Sequence, residues 1–194
     1  MHWSKFACGM ILCALACVGA RAQEPMVTRI TPDLRVYPQF FSVAQDAARQ
    51  VYIGGIDGIL RYDGGRWIWQ PTPKRGAVRA LHVGADGRVW YGGSNNFGYL
   101  QKLPTGEQRL VDLAPQFARD LHGQEFSDVW SISELGGATW FVALHDVFEV
   151  DANGKRLGYW HRVQRFGEAG VVRGELWLQW RGAAGDELFF AILR

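Results

Sequence analysis

The sequence predicts an all-β fold, and three observations support this prediction. The chain of 194 residues is 48% hydrophobic and 21% charged, which is typical of a folded domain and not of a disordered chain. It contains 24 glycines and nine tryptophans, a combination expected where short aromatic strands alternate with tight turns. No stretch of about a dozen residues has the apolar period of about 3.6 that indicates a helix.

The first 22 residues have the pattern of a signal peptide, which is not part of the fold. Residues 6–18 form a compact apolar stretch, and residues 20–22 (ARA) supply small side chains at alternate positions. We therefore expect cleavage between Ala22 and Gln23, and a periplasmic or secreted mature chain. The apolar stretch is shorter than the roughly 20 residues that a membrane-spanning helix needs. A buried N-terminal helix or strand is the alternative interpretation.

Removal of this segment changes what the cysteines and the charge imply. All three cysteines lie within it, so the mature chain has none for a disulfide or a thiolate metal site. Attachment of a lipid at Cys17 is the alternative, although the aliphatic residue expected three positions earlier is missing. Lys5 and Arg21 also leave, so the basic residues fall from 21 to 19 and equal the 19 acidic residues. A neutral chain gives no electrostatic basis for binding nucleic acid.

A repeated group of short strands is the strongest signal in the chain. One strand of the group recurs at 51–55 (VYIGG), 89–93 (VWYGG), 139–143 (TWFVA) and 176–180 (LWLQW). The aromatic residue in the second position of each copy is separated from the next by 38, 50 and 37 residues. An alternating strand precedes each copy, and Asp86-Gly87 supplies the turn that a tight hairpin needs. A β-sandwich offers no reason for this repeated order.

Each repeat has the size of one β-propeller blade, about four antiparallel strands in about 40 residues. The sequence predicts about four blades over residues 41–182, after a lead-in strand or linker at 23–40 and before a divergent tail at 183–194. We expect an incomplete ring, whose open blade edges would promote self-association. Blades bury their faces against one another, so large aromatic residues at one register should lie between them. The predicted inter-blade aromatic residues are Tyr52, Trp90, Trp140 and Trp177.

The copies resemble the two-component regulator propeller repeat. In that family an Asp-Gly turn, an Ile-Trp-Ile-Gly-Thr strand and a Gly-Leu-x-Arg-Tyr-Asp strand follow one another. Residues 86–93 (DGRVWYGG) and 54–63 (GGIDGILRYD) carry the resemblance, whereas the third copy departs from it at 142–147 (VALHDV). The resemblance implies the periplasmic sensor region of a bacterial hybrid histidine kinase or diguanylate cyclase. Such sensors usually have more blades and an output domain, so it also implies a truncated N-terminal part.

The sequence shows no recognisable catalytic motif. The glycine pairs lack the lysine and helix of a phosphate-binding loop, and the histidines at 82, 122, 145 and 161 lack metal-ligand spacing. We therefore expect no enzyme activity, no metal and no cofactor. Ligand-binding residues are expected in the loops between the second and third strands of the blades, which converge on one mouth of a propeller. The candidates are Asp57, Asn95, Asn96, His145 and Asp146.

These observations predict a periplasmic ligand-sensing module whose partner is a small molecule, a glycan or a protein. A secreted protein-interaction scaffold is the alternative. A propeller lyase or glycosidase is a third interpretation, and it would require an acid–base pair. The acidic group Asp112, Asp120, Glu125 and Asp128 lies in and beside the longest insertion, and we interpret it as a solvated face. Turn formation alone also explains the residues of the candidate loops.

Overall fold

The computed structural model describes residues 39–181 and 188–193, and most of them form four antiparallel sheets. The first sheet contains β1 (Phe40–Gln45), β2 (Val51–Gly55), β3 (Gly58–Tyr62) and β4 (Trp67–Pro71). The second contains β5 (Val78–Val83), β6 (Val89–Gly93), β7 (Asn96–Lys102) and β8 (Gln108–Asp112). The third contains β9 (Val129–Leu135), β10 (Ala138–Ala143), β11 (Asp146–Asp151) and β12 (Arg156–His161). The fourth contains β13 (Phe166–Val172), β14 (Glu175–Arg181) and β15 (Leu188–Leu193).

Every strand pairs with its neighbour in sequence, so each sheet is a simple meander. The first strands of successive sheets, β1, β5, β9 and β13, lie next to one another in chain order and form the inner layer. The result is an incomplete β-propeller of four blades, which confirms the predicted fold class. Short apolar strands joined by glycine-containing turns produce this arrangement, since left-handed backbone at Gly87, Gly137, Gly154 and Gly174 closes a hairpin in each case.

The predicted signal peptide at 1–22 and most of the lead-in at 23–40 lie outside the described residues. The blades extend further than the sequence predicted, because β15 pairs with β14 inside the stretch interpreted as a divergent tail at 183–194. The physical reason is the composition of Leu188–Leu193 (LFFAIL), an apolar run that favours a sheet. In the part of the chain that is described, no helix is long and apolar enough to cross a membrane.

The space between successive blades is filled by apolar clusters. One cluster joins the first and second blades around Tyr52, a second joins the second and third around Trp90, and a third joins the third and fourth around Trp140. These three aromatic residues are at least 95% buried. Trp177 occupies the same register, opposite Gly170 of the inner strand, and is half-buried. Burial of a large aromatic side chain between sheets provides much of the apolar stabilisation of stacked blades.

An insertion at 113–128 connects the second and third blades and includes the 3-10 helix Ala114–Phe117. Phe117 and Phe126 anchor it by packing on Phe148 of β11, with ring centroids 5.1 and 4.8 Å apart. The insertion therefore explains the long spacing between the second and third repeats. It stands over the outer half of the third blade and provides one wall of the cavity described next.

Candidate ligand-binding site

Three of the predicted loop residues make hydrogen bonds within their own loop or with a neighbouring connection. The backbone carbonyl of Asp57 accepts hydrogen bonds from Thr72 in the connection to the next blade, at 3.0 Å from the amide and 3.3 Å from the hydroxyl. Asn95 has left-handed φ and its side-chain Oδ1 accepts from the Ser127 amide at 3.2 Å. Asn96 is fully buried, and its Nδ2 donates to the carbonyl of Ser94 at 2.8 Å. The structure therefore does not bring these residues to the cavity where His145 and Asp146 lie.

The other two candidates, His145 and Asp146, line a cavity of about 400 Å³ between the insertion and the third blade. This volume is within the usual range for a site that binds a small molecule. The side chains that matter for its chemistry are His122, Glu125, His145, Asp146, Tyr159 and His161. Only a few of these are close together in sequence, so the cavity is assembled by the fold.

Asp146 is the centre of a hydrogen-bonded group at the floor of the cavity. It begins β11 and lies directly opposite His161, the last residue of β12. Tyr159 lies two residues before His161 and so projects from the same face of that strand. Oδ1 of Asp146 accepts from the Tyr159 hydroxyl at 2.7 Å and lies 2.9 Å from Nδ1 of His161. Asp146 is 4% exposed, so these hydrogen bonds stabilise a carboxylate that is largely removed from water.

Tyr159 acts as a fixed hydrogen-bond donor in this group. Burial raises the pKa of its phenol well above the usual range, and its hydrogen bond to the Asp146 carboxylate raises the pKa further. The hydroxyl therefore keeps its proton at neutral pH. Its hydrogen bond to Oδ1 of Asp146 helps to position that carboxylate.

Two histidines of the cavity, His145 and His161, each have one ring nitrogen engaged and, in the part of the chain that is described, one without a partner. Nδ1 of His145 lies 3.1 Å from the carbonyl oxygen of Arg162, which can only accept, so this nitrogen carries a proton. Nδ1 of His161 faces the Asp146 carboxylate in the same way. Within the described residues, neither Nε2 atom has a partner. An unprotonated Nε2 accepts a hydrogen bond, which a hydroxyl group of a ligand can donate.

The insertion that covers the cavity is tied to the third blade by charged and amide groups. The Arg156 guanidinium donates twice to the Asp120 carboxylate, at 2.9 Å from Nε and 2.8 Å from Nη2. Gln116 accepts from the Arg156 amide at 3.0 Å and donates to the carbonyl of Gly154 at 2.8 Å. Two-pronged arginine–carboxylate pairs fix orientation as well as distance, so this wall of the cavity has a defined position.

The cavity carries no arrangement suited to a metal ion. Across residues 39–181 and 188–193, no group of three histidine or carboxylate side chains could hold one. The group of Asp146, Tyr159 and His161 can orient a ligand and accept or donate hydrogen bonds.

The sequence analysis did not connect Tyr159 and His161 with Asp146. A signal for the connection exists in the sequence. The turn at Asn153-Gly154 closes a hairpin and places the strands that contain residues 146 and 161 side by side, although a register shift between Glu149 and Val150 precedes the pairing of these two residues. His122, by contrast, reaches the cavity because it lies in the insertion. Its backbone has a left-handed φ, which could not be predicted from the neighbouring residues.

Comparisons with known proteins support the fold. No family model matches the chain, and no curated protein matches it. Two structures of the extracellular domain of BT4673 from B. thetaiotaomicron are similar, each with a TM-score of 0.53. One is described as a one-component system at 12% identity and the other as a hybrid two-component system at 14%. In both cases the match covers 77% of this chain and 21% of the other.

Two further matches are the WD40 β-propeller domain of Doa1 and a structure of the mitotic checkpoint complex. The first has a TM-score of 0.54 at 13% identity and covers 80% of this chain and 53% of the other. The second has a TM-score of 0.54 at 10% identity and covers 89% and 56%. Likeness at such identities shows the propeller fold, and this chain spans only a fifth to about half of these structures.

Proposed function

We propose that this chain is a ligand-sensing propeller region of a bacterial signal-transduction protein, exported to the periplasm and acting by binding and not by catalysis. The likeness to the extracellular domains of BT4673 supports a sensor propeller. The resemblance of the repeats to the two-component regulator propeller family points the same way. Signal output would then require a separate domain.

The observation that carries the proposal is the cavity at the third blade. It presents two imidazole Nε2 atoms above a buried carboxylate whose own hydrogen bonds are made within the protein. The His145 and His161 rings lie 6.3 Å apart between centroids, a separation that one small hydroxylated molecule can bridge. The ligand class that fits is a sugar or a short glycan, since neighbouring hydroxyl groups can each bond one imidazole.

Isothermal titration calorimetry of the purified full chain with a panel of xylo-, arabino-, galacto- and cello-oligosaccharides tests this proposal. We expect one class to bind, and His145→Ala and His161→Ala each to weaken that binding by about tenfold or more. His82→Ala is the matched control, because this histidine lies near Glu134, away from the cavity, with Nε2 to Oε2 at 3.9 Å.

Two results would overturn the proposal. If both cavity variants bind the ligand as tightly as the wild type does, the ligand binds at another site. A full chain that binds no member of the panel would favour the secreted protein-interaction scaffold.

A further inference from the structure

The inner strands of the blades share an irregularity at one end. In β1 the pairing with β2 skips Phe41, in β5 the pairing with β6 skips Arg79, and in β9 the pairing with β10 skips Trp130. The fourth blade has a register shift at the equivalent place, between Phe166 and Ala169. A β-bulge re-aims the side chain of the extra residue. The repeat therefore delivers one re-aimed residue from each of the first three blades to the same end of the inner layer.

Three of these residues form a stack. The Arg79 guanidinium carbon lies 3.9 Å from the ring centroid of Phe41 and 5.3 Å from that of Trp130. Nε of Arg79 donates to Oδ2 of Asp128 at 3.2 Å, and the Ser94 hydroxyl donates to the other carboxylate oxygen. The plane and one edge of the guanidinium are therefore fixed by the aromatic rings and by Asp128.

The rest of this stack is open to a ligand. Trp130 is 53% exposed, and the side chain of Arg79 keeps 24% of its surface accessible. Among residues 39–181 and 188–193, the Nη atoms of Arg79 have no hydrogen-bond partner. A large exposed indole next to a guanidinium edge that can still donate hydrogen bonds is a recognition feature, because a large aromatic side chain is usually mostly buried.

The charge of Arg79 is balanced by Asp128, but its Nη atoms, which have no partner among the described residues, still match the geometry of a second carboxylate. Lys74 lies in a neighbouring loop, where its Nζ is 3.3 Å from the carbonyl oxygen of Asn95. The Asp112 carboxylate lies close enough to interact with Lys74, so the Nη atoms of Arg79 are what the stack offers to an anion.

We propose that this axial stack of Phe41, Arg79 and Trp130 binds a carboxylate carried on a six-membered ring, the chemistry of a uronic acid or an aromatic acid. The guanidinium edge would bind the carboxylate through its Nη atoms, and the Trp130 indole would pack on the ring. The site shares no residue with the cavity at the third blade. It does not depend on the function proposed for that cavity.

Calorimetry of the purified full chain with three probes tests the inference. Trigalacturonate carries both the carboxylate and the sugar ring, galactotriose is its neutral counterpart, and benzoate is a carboxylate on an aromatic ring. Trp130→Ala removes the exposed indole, and Arg79→Lys keeps the charge but loses the planar fork. The matched controls are Trp160→Ala, another partly exposed tryptophan, and Arg66→Lys, whose side chain is 78% exposed.

We expect trigalacturonate or benzoate to bind, and both stack variants to weaken that binding by about tenfold or more while the controls change it less than about twofold. Preference for trigalacturonate would identify a uronic acid, and preference for benzoate an aromatic acid. The inference is overturned if galactotriose binds as tightly as trigalacturonate. It is also overturned if neither carboxylate binds at about 10 mM, or if the stack variants bind like the wild type with unchanged melting temperatures.

Discussion

Gly92 of the second blade packs so closely against Val129 of the third that a β-carbon on Gly92 would lie 2.8 Å from Cβ of Val129. Gly54 of the first blade packs against the second blade in the same way, since a β-carbon on Gly54 would lie 2.6 Å from the carbonyl oxygen of Val78. In both cases a glycine of the second strand makes room for the first valine of the following inner strand. The glycine pairs of the repeat therefore set the distance between blades.

The first prediction concerns this fit. We expect Gly92→Ala to lower the free energy of unfolding by about 1–3 kcal/mol, because the added methyl group overpacks the contact with Val129. Urea denaturation measures the change. Gly170→Ala is the control, since the space around Gly170 is open, and it should change stability little.

A double-mutant cycle gives the sharper test of the same contact. A Val129→Ala background removes the γ-carbon that the added methyl group meets first but keeps Cβ, so the effect of Gly92→Ala should become smaller without disappearing. Additive effects of the two substitutions would show that the blades do not meet at this point.

The second prediction concerns the indole of Trp90, whose Nε1 donates to Oε1 of Glu134 in the next blade at 3.2 Å. Trp90→Ala should destabilise the chain by about 3–5 kcal/mol because it empties a buried position between two sheets. Trp90→Phe keeps a ring there and loses the hydrogen bond and part of the packing, so its effect should be smaller. Trp130→Ala, at an exposed position, should fall within about 0.5 kcal/mol of the wild type in the same urea titrations. Equal losses at positions 90 and 130 would contradict this account of the blade interface.

The blade architecture could be predicted from the sequence because its determinants are local and repeated. The register of Tyr52, Trp90 and Trp140 and the hairpin turns are all visible in a window of one repeat, and the structure uses them in the same order. The last strand was missed because Leu188–Leu193 follows a stretch that departs from the repeat. Its apolar composition was the remaining signal.

The candidate site could be predicted only in part. His145 and Asp146 were predicted as candidates from the loop between the second and third strands of their blade, and the structure places both in the lining of one cavity. Asn95 and Asn96 occupy an equivalent loop, but there a neighbouring connection supplies Ser127 as a hydrogen-bond partner, a contact between residues 32 positions apart. The stack around Arg79 depends on bulges in three strands. The position of a bulge could not be predicted from the alternation of apolar and polar residues in these strands.

The third prediction is a pH dependence. Burial raises the pKa of Asp112 above the ordinary value of 3.8, although its hydrogen bond from the Ala114 amide opposes this effect. The folded chain then holds this proton to a higher pH than the unfolded chain does. Protonated Asp112 therefore contributes its full stabilisation of the folded chain below about pH 3.8, and this contribution is lost as pH rises through the folded pKa.

Asp112→Asn isolates this contribution, because asparagine can still accept from the Ala114 amide but never ionises. We expect the variant to be more stable than the wild type at about pH 7 and the difference to shrink toward about pH 3. Chemical denaturation at several pH values measures it. If the variant is destabilised equally at neutral and at acidic pH, ionisation of Asp112 does not lower the stability of the folded chain.

The fourth prediction concerns the wall of the cavity. Arg156→Lys should abolish the two-pronged pair with Asp120 while keeping a positive charge. Because exposed ion pairs contribute about 0–1 kcal/mol, we expect little change in global stability but faster hydrogen exchange in residues 118–127. Arg109→Lys is the control, since Arg109 bonds Gln101 within the second blade at 2.9 Å. Unchanged exchange in the insertion would mean that Phe117 and Phe126 hold this segment without the ion pair.

The fifth prediction concerns the hydrogen-bonded floor of the cavity. Tyr159→Phe removes the hydroxyl that lies 2.7 Å from Oδ1 of Asp146 and leaves that buried carboxylate with one fewer donor, so it should destabilise the chain by about 1–3 kcal/mol. Tyr62→Phe is matched in chemistry, but its hydroxyl donates to the carbonyl of Gly64 in an exposed turn at 2.9 Å, so its effect should stay within about 0.5 kcal/mol.

Adding Asp146→Asn to Tyr159→Phe decides whether the two groups act together. If the hydroxyl serves the carboxylate, the double variant should be less destabilised than the sum of the single variants, by about 0.5–3 kcal/mol. Strict additivity in urea denaturation would show that the Tyr159 hydroxyl contributes independently of Asp146, and that Asp146 is positioned by His161.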